Sequence, residues 1–363
     1  MTKVKEGKAE FDVPEDVFYN DRMVMNRDIT VGVLRAREGG RDDVENVYSD
    51  VFGASGVRGI RAALETDYSV AVNDRSETAV EAVRRNLEKN GVEADVSRSD
   101  ANVYLDSNRF EVVDIDPFGS PIPFADAAFR SGYQLACFTA TDTAPLCGAH
   151  GSGVRRYSCH PLNTEYHPEM GLRVLIGALV RTAARHDVAA TPVLSHSSDH
   201  YARTYLELDE GAKVADSALE GLGYVSHCYG CFYRSSSYGL VFDGERVCPR
   251  CGDELEVAGP LWLDAVADAG FVKSVRGELE PYMGSYERAR RVLETLEDEV
   301  EVQTPTHYDH HELCGSWGAT PSKIDGFVER LREAGYDASR AHYSGTAFKT
   351  DAELDDIKEV VEG

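Results

Sequence analysis

The chain has 363 residues, 42% of them hydrophobic, and carries 38 Lys and Arg against 63 Asp and Glu, a formal net charge of −25. That length supports a large core and points to two domains, and the apolar content excludes an acidic disordered chain. No run approaches ~18 apolar residues and the opening Met1-Thr2-Lys3-Val4-Lys5-Glu6 is polar, so neither a membrane span nor a signal peptide is expected and the chain reads as cytoplasmic. The basic residues are skewed, 9 Lys beside 29 Arg, and an acidic, Lys-poor folded chain suggests a halophilic, high-salt cytoplasm. At molar salt the screening length falls to ~3 Å, so net charge does not exclude a nucleic-acid partner gripped by local Arg clusters.

From Val47 the pattern is that of a Rossmann-like unit. Val47 to Phe52 reads as a strand, Gly53-Ala54-Ser55-Gly56-Val57-Arg58-Gly59 as a small-residue turn, and Ile60 to Thr66 as the start of a helix. Small residues there let the backbone approach a ligand at the helix N-terminus, although one such turn alone is weak evidence and a plain tight turn is the alternative. Tyr68 to Asp74 is a second strand ending in an acid, about two dozen residues after Asp50, placed to take the two hydroxyls of a ribose. A helix starts near Ser76, with Ala79, Val80, Ala82, Val83 and Leu87 apolar at helical spacing. Asp95 to Ala101 reads as a third strand, whose Asp100 can accept from an adenine amino group.

The fourth strand, Glu111 to Ile115, runs into Asp116-Pro117-Phe118-Gly119-Ser120-Pro121. An acid, a rigid proline and an aromatic ring arrive together at the carboxyl end of a sheet, where α/β folds bind ligands. The acid can accept from an exocyclic amine and Phe118 can cover the ring; a strand end followed by a Pro-Gly turn is the plainer alternative. Any one strand-end acid can equally be a helix cap. Four such strands in succession are the layout of a Rossmann-like class I methyltransferase dependent on S-adenosylmethionine. Nicotinamide dehydrogenases share the early part, but the first turn is not Gly-x-Gly-x-x-Gly and no Gly-Lys-Ser/Thr follows it.

Cys228-Tyr-Gly-Cys231 and Cys248-Pro-Arg-Cys251 are separated by 16 residues. Two Cys-x-x-Cys turns at that spacing fit a four-cysteine zinc site, and four protein ligands leave no open position, so the zinc is expected to be structural. It would clamp the segment from Ser235 to Val247. Cys137, Cys147, Cys159 and Cys314 lack such pairing, and His150, His160, His167 and His196 show no ligand spacing.

Taken together, Gly7-Lys8-Ala9, Val17-Phe18-Tyr19-Asn20, Met25-Asn26-Arg27-Asp28, Gly56 to Arg61, Asp100-Ala101-Asn102, Asp114 to Pro121, Thr139 to Gly148 and Gly345 to Thr350 resemble the tRNA guanine-26 N2-methyltransferase and dimethyltransferase family in its archaeal form. The resemblance implies transfer of one or two methyl groups from S-adenosylmethionine to the exocyclic amine of guanine 26. Carried over, Asp116 is the catalytic acid beside Pro117, and Phe18 and Phe118 sandwich the target base. Arg27 and Arg58 hold the methionine end of the cofactor, Asp74 the ribose, and Asp100 with Ala101 the adenine, with Asp50 in the same cofactor set. Methyl transfer to another amine, in DNA, ribosomal RNA or protein, and an inactive zinc-bearing RNA-binding module are the competing readings.

The expected architecture is a methyltransferase domain over 1–264, including the zinc segment 228–251, and a smaller α+β domain over 265–363 that binds tRNA. Helices are expected over Tyr286 to Val300 and Ser322 to Ala334, and a strand over Ala341 to Ser344. RNA contacts are expected from Arg288, Arg290, Arg291, Arg340, His342 and Lys349. Thr143 to Leu146 is a candidate lining behind Phe118, and Asp199-His200-Tyr201 a candidate closure of the pocket. No obligate protein partner is implied.

Overall fold

The computed structural model describes residues 1–38, 46–198 and 200–363. The chain opens with a hairpin, β1 (Thr2–Glu6) and β2 (Ala9–Val13). A 3-10 turn at Asp21–Met23, capped by the Asn20 side chain, leads into α1 (Val24–Ala36). Strands and helices then alternate: β3 (Val47–Asp50), α2 (Val57–Glu65), β4 (Ser69–Asn73), α3 (Glu77–Asn90), β5 (Asp95–Ser97), α4 (Ala101–Asp106), β6 (Phe110–Ile115), α5 (Ile122–Ser131) and β7 (Gly132–Ala140). After α6 (Thr143–Leu146), α7 (Ser152–Tyr157) and α8 (His167–Ala184) comes the hairpin of β8 (Val188–Ser198) and β9 (Tyr201–Glu210). α9 (Ala212–Leu219) precedes a three-stranded sheet of β10 (Leu222–His227), β11 (Arg234–Tyr238) and β12 (Glu256–Trp262). The remainder is α10 (Ala269–Gly277), α11 (Tyr286–Glu299), β13 (Tyr308–Asp309), α12 (His310–Trp317), α13 (Ile324–Glu333), β14 (Ala338–Arg340), β15 (Ala347–Thr350) and α14 (Leu354–Glu362).

The central sheet has the order β5-β4-β3-β6-β7-β9-β8. Its first five strands are parallel, whereas β9 runs antiparallel to both β7 and β8. All six residues of β6 are buried, as a central parallel strand covered on both faces requires. The chain fills the sheet outward from β3 to β5, then returns to place β6 on the other side of β3. That reversal opens a crevice at the carboxyl ends of β3 and β6, the usual ligand position in such sheets.

The largest buried cluster joins the sheet to α1, α8, α10 and α11. Gly32 makes the contact between α1 and α10 possible: a Cβ there would lie 3.1 Å from the Val275 carbonyl oxygen. A second cluster sits under the N-terminal hairpin, with Phe11, Ile60, Val72 and Val83. A third, built on Leu313, Phe327, Leu331, Phe348 and Ile357, belongs to the C-terminal elements. Among the described residues no helix is long and apolar enough to cross a membrane.

Three local expectations change. The third strand stops at Ser97, because Asp100 Oδ1 accepts from the Asn102 and Val103 amides and starts α4 instead. Helix α2 begins at Val57, since Gly56 takes the left-handed conformation (φ +79°) that turns the chain into it. No strand forms over Ala341 to Ser344; the His342 amide is bound by Glu299 and is not offered to a neighbouring strand.

Candidate functional site

The carboxyl ends of β3, β4 and β6, the loop after β5 and the segment from Asp16 to Met23 surround a cavity of about 460 Å³, within the range of small-molecule sites. Phe18, Arg27, Asp50, Arg58, Asp74, Asp100, Ala101, Asp116, Pro117 and Phe118 all line it. Residues spread over a hundred positions thus converge on one space.

Its floor is built by strand-end hydrogen bonds. Asp74 accepts from the Ala54 amide at 2.9 Å and the Ser76 amide at 2.8 Å, tying the small-residue turn to the end of β4. Gly59 lies so close to the sheet that a Cβ would stand 2.8 Å from Val72 Cγ2, and its amide donates to Asp50 Oδ2 at 3.1 Å. Burial pushes the Asp50 carboxyl up to about 7; Asp114 and Asp116 add to this and Arg58 opposes it. Asn73, not singled out in the sequence, donates to the Val51 and Ser99 carbonyls and accepts from the Ser99 amide. A polar residue closing the apolar run of β4 was its only signal.

Both arginines expected at the cofactor are held by carboxylates of the chain itself. Arg27 donates Nε and Nη2 to the two oxygens of Glu6, each at 2.6 Å, and Nη2 also reaches the Asn20 carbonyl at 3.0 Å. Glu6 further accepts from Tyr19 at 2.8 Å and Arg61 at 2.8 Å. Burial alone would raise the Glu6 carboxyl, but the two arginines outweigh it and hold it at about 2. Arg58 pairs with Asp116 and donates to Asn26 at 3.0 Å and Thr30 at 3.1 Å.

Behind Arg58 lies a buried polar group that the sequence did not reveal. Asp114 accepts from Arg203 Nη1 and Nη2, each at 2.7 Å, and from the Tyr48 hydroxyl at 2.6 Å. Arg203 also donates to Thr139 at 2.9 Å and Thr30 at 3.2 Å. Burial opposes ionisation of Asp114, but the charges of Arg203 and Arg58 hold its carboxyl below the usual range.

At the mouth, Phe18 and Phe118 are 49% and 75% exposed, with ring centroids 4.5 Å apart in an edge contact. Gly119 (φ +83°) and Thr141 exchange two hydrogen bonds, 2.8 and 2.9 Å, which fix the Phe118 turn to the end of β7. Tyr19, Asn20, Met23, Phe124 and Thr141 also line the cavity without having been singled out for it. Thr143 to Leu146 do not line the cavity, nor do His200 and Tyr201. His200 meets Arg22 at 3.4 Å and Tyr201 is buried, while Asp199 lies outside the described residues.

The four sulfur atoms of Cys228, Cys231, Cys248 and Cys251 lie within 4.8 Å of one another, with 3.4 Å between Cys228 and Cys251 and 3.5 Å between Cys231 and Cys248. Tetrahedral zinc with Zn–S near 2.3 Å separates its sulfurs by about 3.8 Å, so this donor set fits the ion. Each knuckle closes on a left-handed residue, Phe232 (φ +62°) or Gly252 (φ +82°), whose amide returns to the first cysteine's carbonyl. None of the four lines the cavity. Cys137, Cys147, Cys159 and Cys314 are buried, and His196 is buried against Tyr201 and Tyr205.

Two expected RNA contacts are corrected. Lys349 is buried between Glu169 at 2.8 Å and Glu299 at 3.3 Å, and the His342 ring is bound to Glu299 at 2.7 Å. With His307 on Glu169 they form a sealed polar seam between α8 and the C-terminal elements. Arg288 and Arg291 are exposed on α11, Arg290 is flanked by Glu287 and Glu294, and Arg340 bonds to Asp325.

A family model described as N2,N2-dimethylguanosine tRNA methyltransferase matches residues 1–362. The chain belongs to the N2,N2-dimethylguanosine tRNA methyltransferase family. A tRNA (guanine(26)-N(2))-dimethyltransferase of Haloarcula marismortui is 51% identical over 98% of this chain and 99% of its own. One from Methanosarcina mazei is 45% identical over 95% of this chain and 91% of its own. The fold matches Trm1 of Pyrococcus horikoshii, solved with S-adenosyl-L-methionine, at a TM-score of 0.89 and 33% identity, covering 99% of this chain and 100% of that one. The fold expected for the family, a Rossmann-like methyltransferase sheet followed by smaller C-terminal sheets, is therefore the one observed.

Proposed function

We propose that this chain transfers one or two methyl groups from S-adenosylmethionine to the exocyclic N2 of guanine 26 in tRNA, giving N2-methyl- and N2,N2-dimethylguanosine. The observation that carries the reading is the convergence on one cavity of the ten residues assigned to the reaction and the cofactor, in a chain matched by the family over 1–362. S-adenosylmethionine, when bound, supplies an electrophilic methyl group. Arg27, Asp50, Arg58, Asp74, Asp100 and Ala101 are the residues to hold it: acids at strand ends suit ribose hydroxyls and an adenine amine, and arginines suit a carboxylate.

Asp116 does the acid-base work. The N2 lone pair of guanine is delocalised into its ring, so the amine is a weak nucleophile until a carboxylate accepts one of its hydrogens. Asp116 stands at the cavity with Pro117 rigid behind it, and takes that hydrogen bond and then the released proton. N2 is inaccessible inside a folded tRNA, so the base has to leave its stack. Phe18 and Phe118 offset that cost by covering its faces. The four cysteines hold zinc as a staple of the β10–β12 sheet, away from the chemistry. Residues 265–363 supply tRNA contacts through exposed arginines such as Arg288 and Arg291.

The test is incubation at molar KCl with labelled S-adenosylmethionine and two unmodified tRNA transcripts that differ only in guanine or adenine at position 26. Label in N2-methyl- or N2,N2-dimethylguanosine from the guanine transcript alone supports the reading and reports where the reaction stops. Equal label in both transcripts defeats it.

A further inference from the structure

We propose that Arg203 is a positioning residue for methyl transfer: by saturating Asp114 it leaves Arg58 turned outward to hold Asp116. This rests on the reading of Asp116 as the catalytic acid.

Asp114 is in β6 and Asp116 stands one residue past its end, and both carboxylates reach the same guanidinium. Arg58 stands between them: it pairs with Asp116 and lies 3.5 Å from Asp114 Oδ2. Both carboxylates compete for one guanidinium. The competition is decided by what else Asp114 holds. Its Oδ2 already accepts from Arg203 Nη2 and from Tyr48, and its Oδ1 from Arg203 Nη1. A bidentate fork of this kind matches a carboxylate closely, and here both partners are completely excluded from solvent. Arg203 is itself braced by Thr139 and Thr30, and Thr30 also accepts from Arg58 and meets the Tyr205 hydroxyl at 2.8 Å. The cations and anions of Asp114, Arg203, Arg58 and Asp116 balance in pairs. Weakening the inner pair draws Arg58 toward Asp114, because an unmatched buried carboxylate recruits the nearest cation. Asp116 then loses the contact that fixes its orientation toward the cavity. Arg203 is not itself a cavity-lining residue and acts through Arg58, one of six residues assigned to the cofactor, so its effect should fall far more on turnover than on cofactor binding.

Arg203→Lys keeps the charge and removes the fork. Expected is a fall in kcat on the order of 10- to 100-fold, as for a displacement of about 1 Å at a reacting group. The KM for tRNA should change little, the cofactor dissociation constant, measured by calorimetry, should rise by much less than kcat falls, and the acid limb of the kcat–pH profile should move. Tyr48→Phe removes one bond to the same Asp114 oxygen at little risk to folding, and should give the same split with a smaller fall. Asp116→Asn is measured in parallel. If it is inactive while Arg203→Lys and Tyr48→Phe turn over like wild type per folded molecule, Arg203 has only a structural role. Loss of cofactor affinity equal to the loss in kcat would also overturn the proposal. Full activity in Asp116→Asn would defeat the reading of the acid and the inference with it.

Discussion

The rings of Phe18 and Phe118 meet edge to face at 83°, centroids 4.5 Å apart, although one comes from the segment before α1 and the other from the turn after β6. At that spacing no base fits between them, so accepting one requires the rings to part and turn. Both are largely exposed, and so free to do it.

Phe18→Ala and Phe118→Ala should each lower kcat/KM for tRNA roughly 5- to 150-fold, the equivalent of about 1–3 kcal/mol of stacking per base. The loss should fall on tRNA and spare cofactor affinity, which separate titrations would measure. Unchanged tRNA kinetics in both variants would rule out a stacking role.

Purified protein should contain about one zinc per chain by mass spectrometry, held by the four cysteines. Cys228→Ser should abolish it and lower Tm, while turnover in the surviving folded fraction changes much less. A larger effect on turnover than on stability would move the metal into the chemistry.

Two buried carboxyls should give opposite pH dependences. Glu6 is held at about 2 against an ordinary value of 4.5. Its contribution, about 3 kcal/mol, is therefore present above pH 4.5 and lost as pH falls toward 2. Asp50 is raised to about 7 from 3.8, so the native state holds a proton there that the unfolded chain releases. Stability from Asp50 is full below about pH 4 and declines by about 4 kcal/mol as pH rises through 7. In denaturant titrations Glu6→Gln should narrow its deficit from wild type between pH 6 and pH 3. Asp50→Asn should gain on wild type between pH 5 and pH 8.

Salt should act through the net charge of −25. Lowering KCl from molar to about 0.1 M lengthens the screening distance from ~3 to ~10 Å and restores repulsion among the carboxylates. Tm should fall and activity disappear on dilution, and both should return when KCl is restored. A melting curve indifferent to salt would contradict the halophilic reading.

Four of the seven strands of the methyltransferase sheet, acids near their ends and the paired cysteines could be read in the sequence because each is a local pattern, whereas β7, β8 and β9 were not read. An apolar run of strand length closed by Asp74 or Asp116 announces a strand and its ligand end, and Cys-x-x-Cys announces a metal turn within four residues. Partnerships could not be read that way. Nothing near Arg203 indicates that it forks onto Asp114, 89 residues earlier, or that Glu6 claims Arg27 and Arg61. Lys349 and His342 looked like outward RNA contacts, yet two glutamates from distant helices enclose them. Burial of a charge becomes favourable only where tertiary packing brings a counter-charge and hydrogen bonds to it. Local pattern was enough for four parallel strands, two of their terminal acids and the metal knuckles; β7, β8 and β9, and which charges face the cavity or are locked behind it, follow from long-range packing.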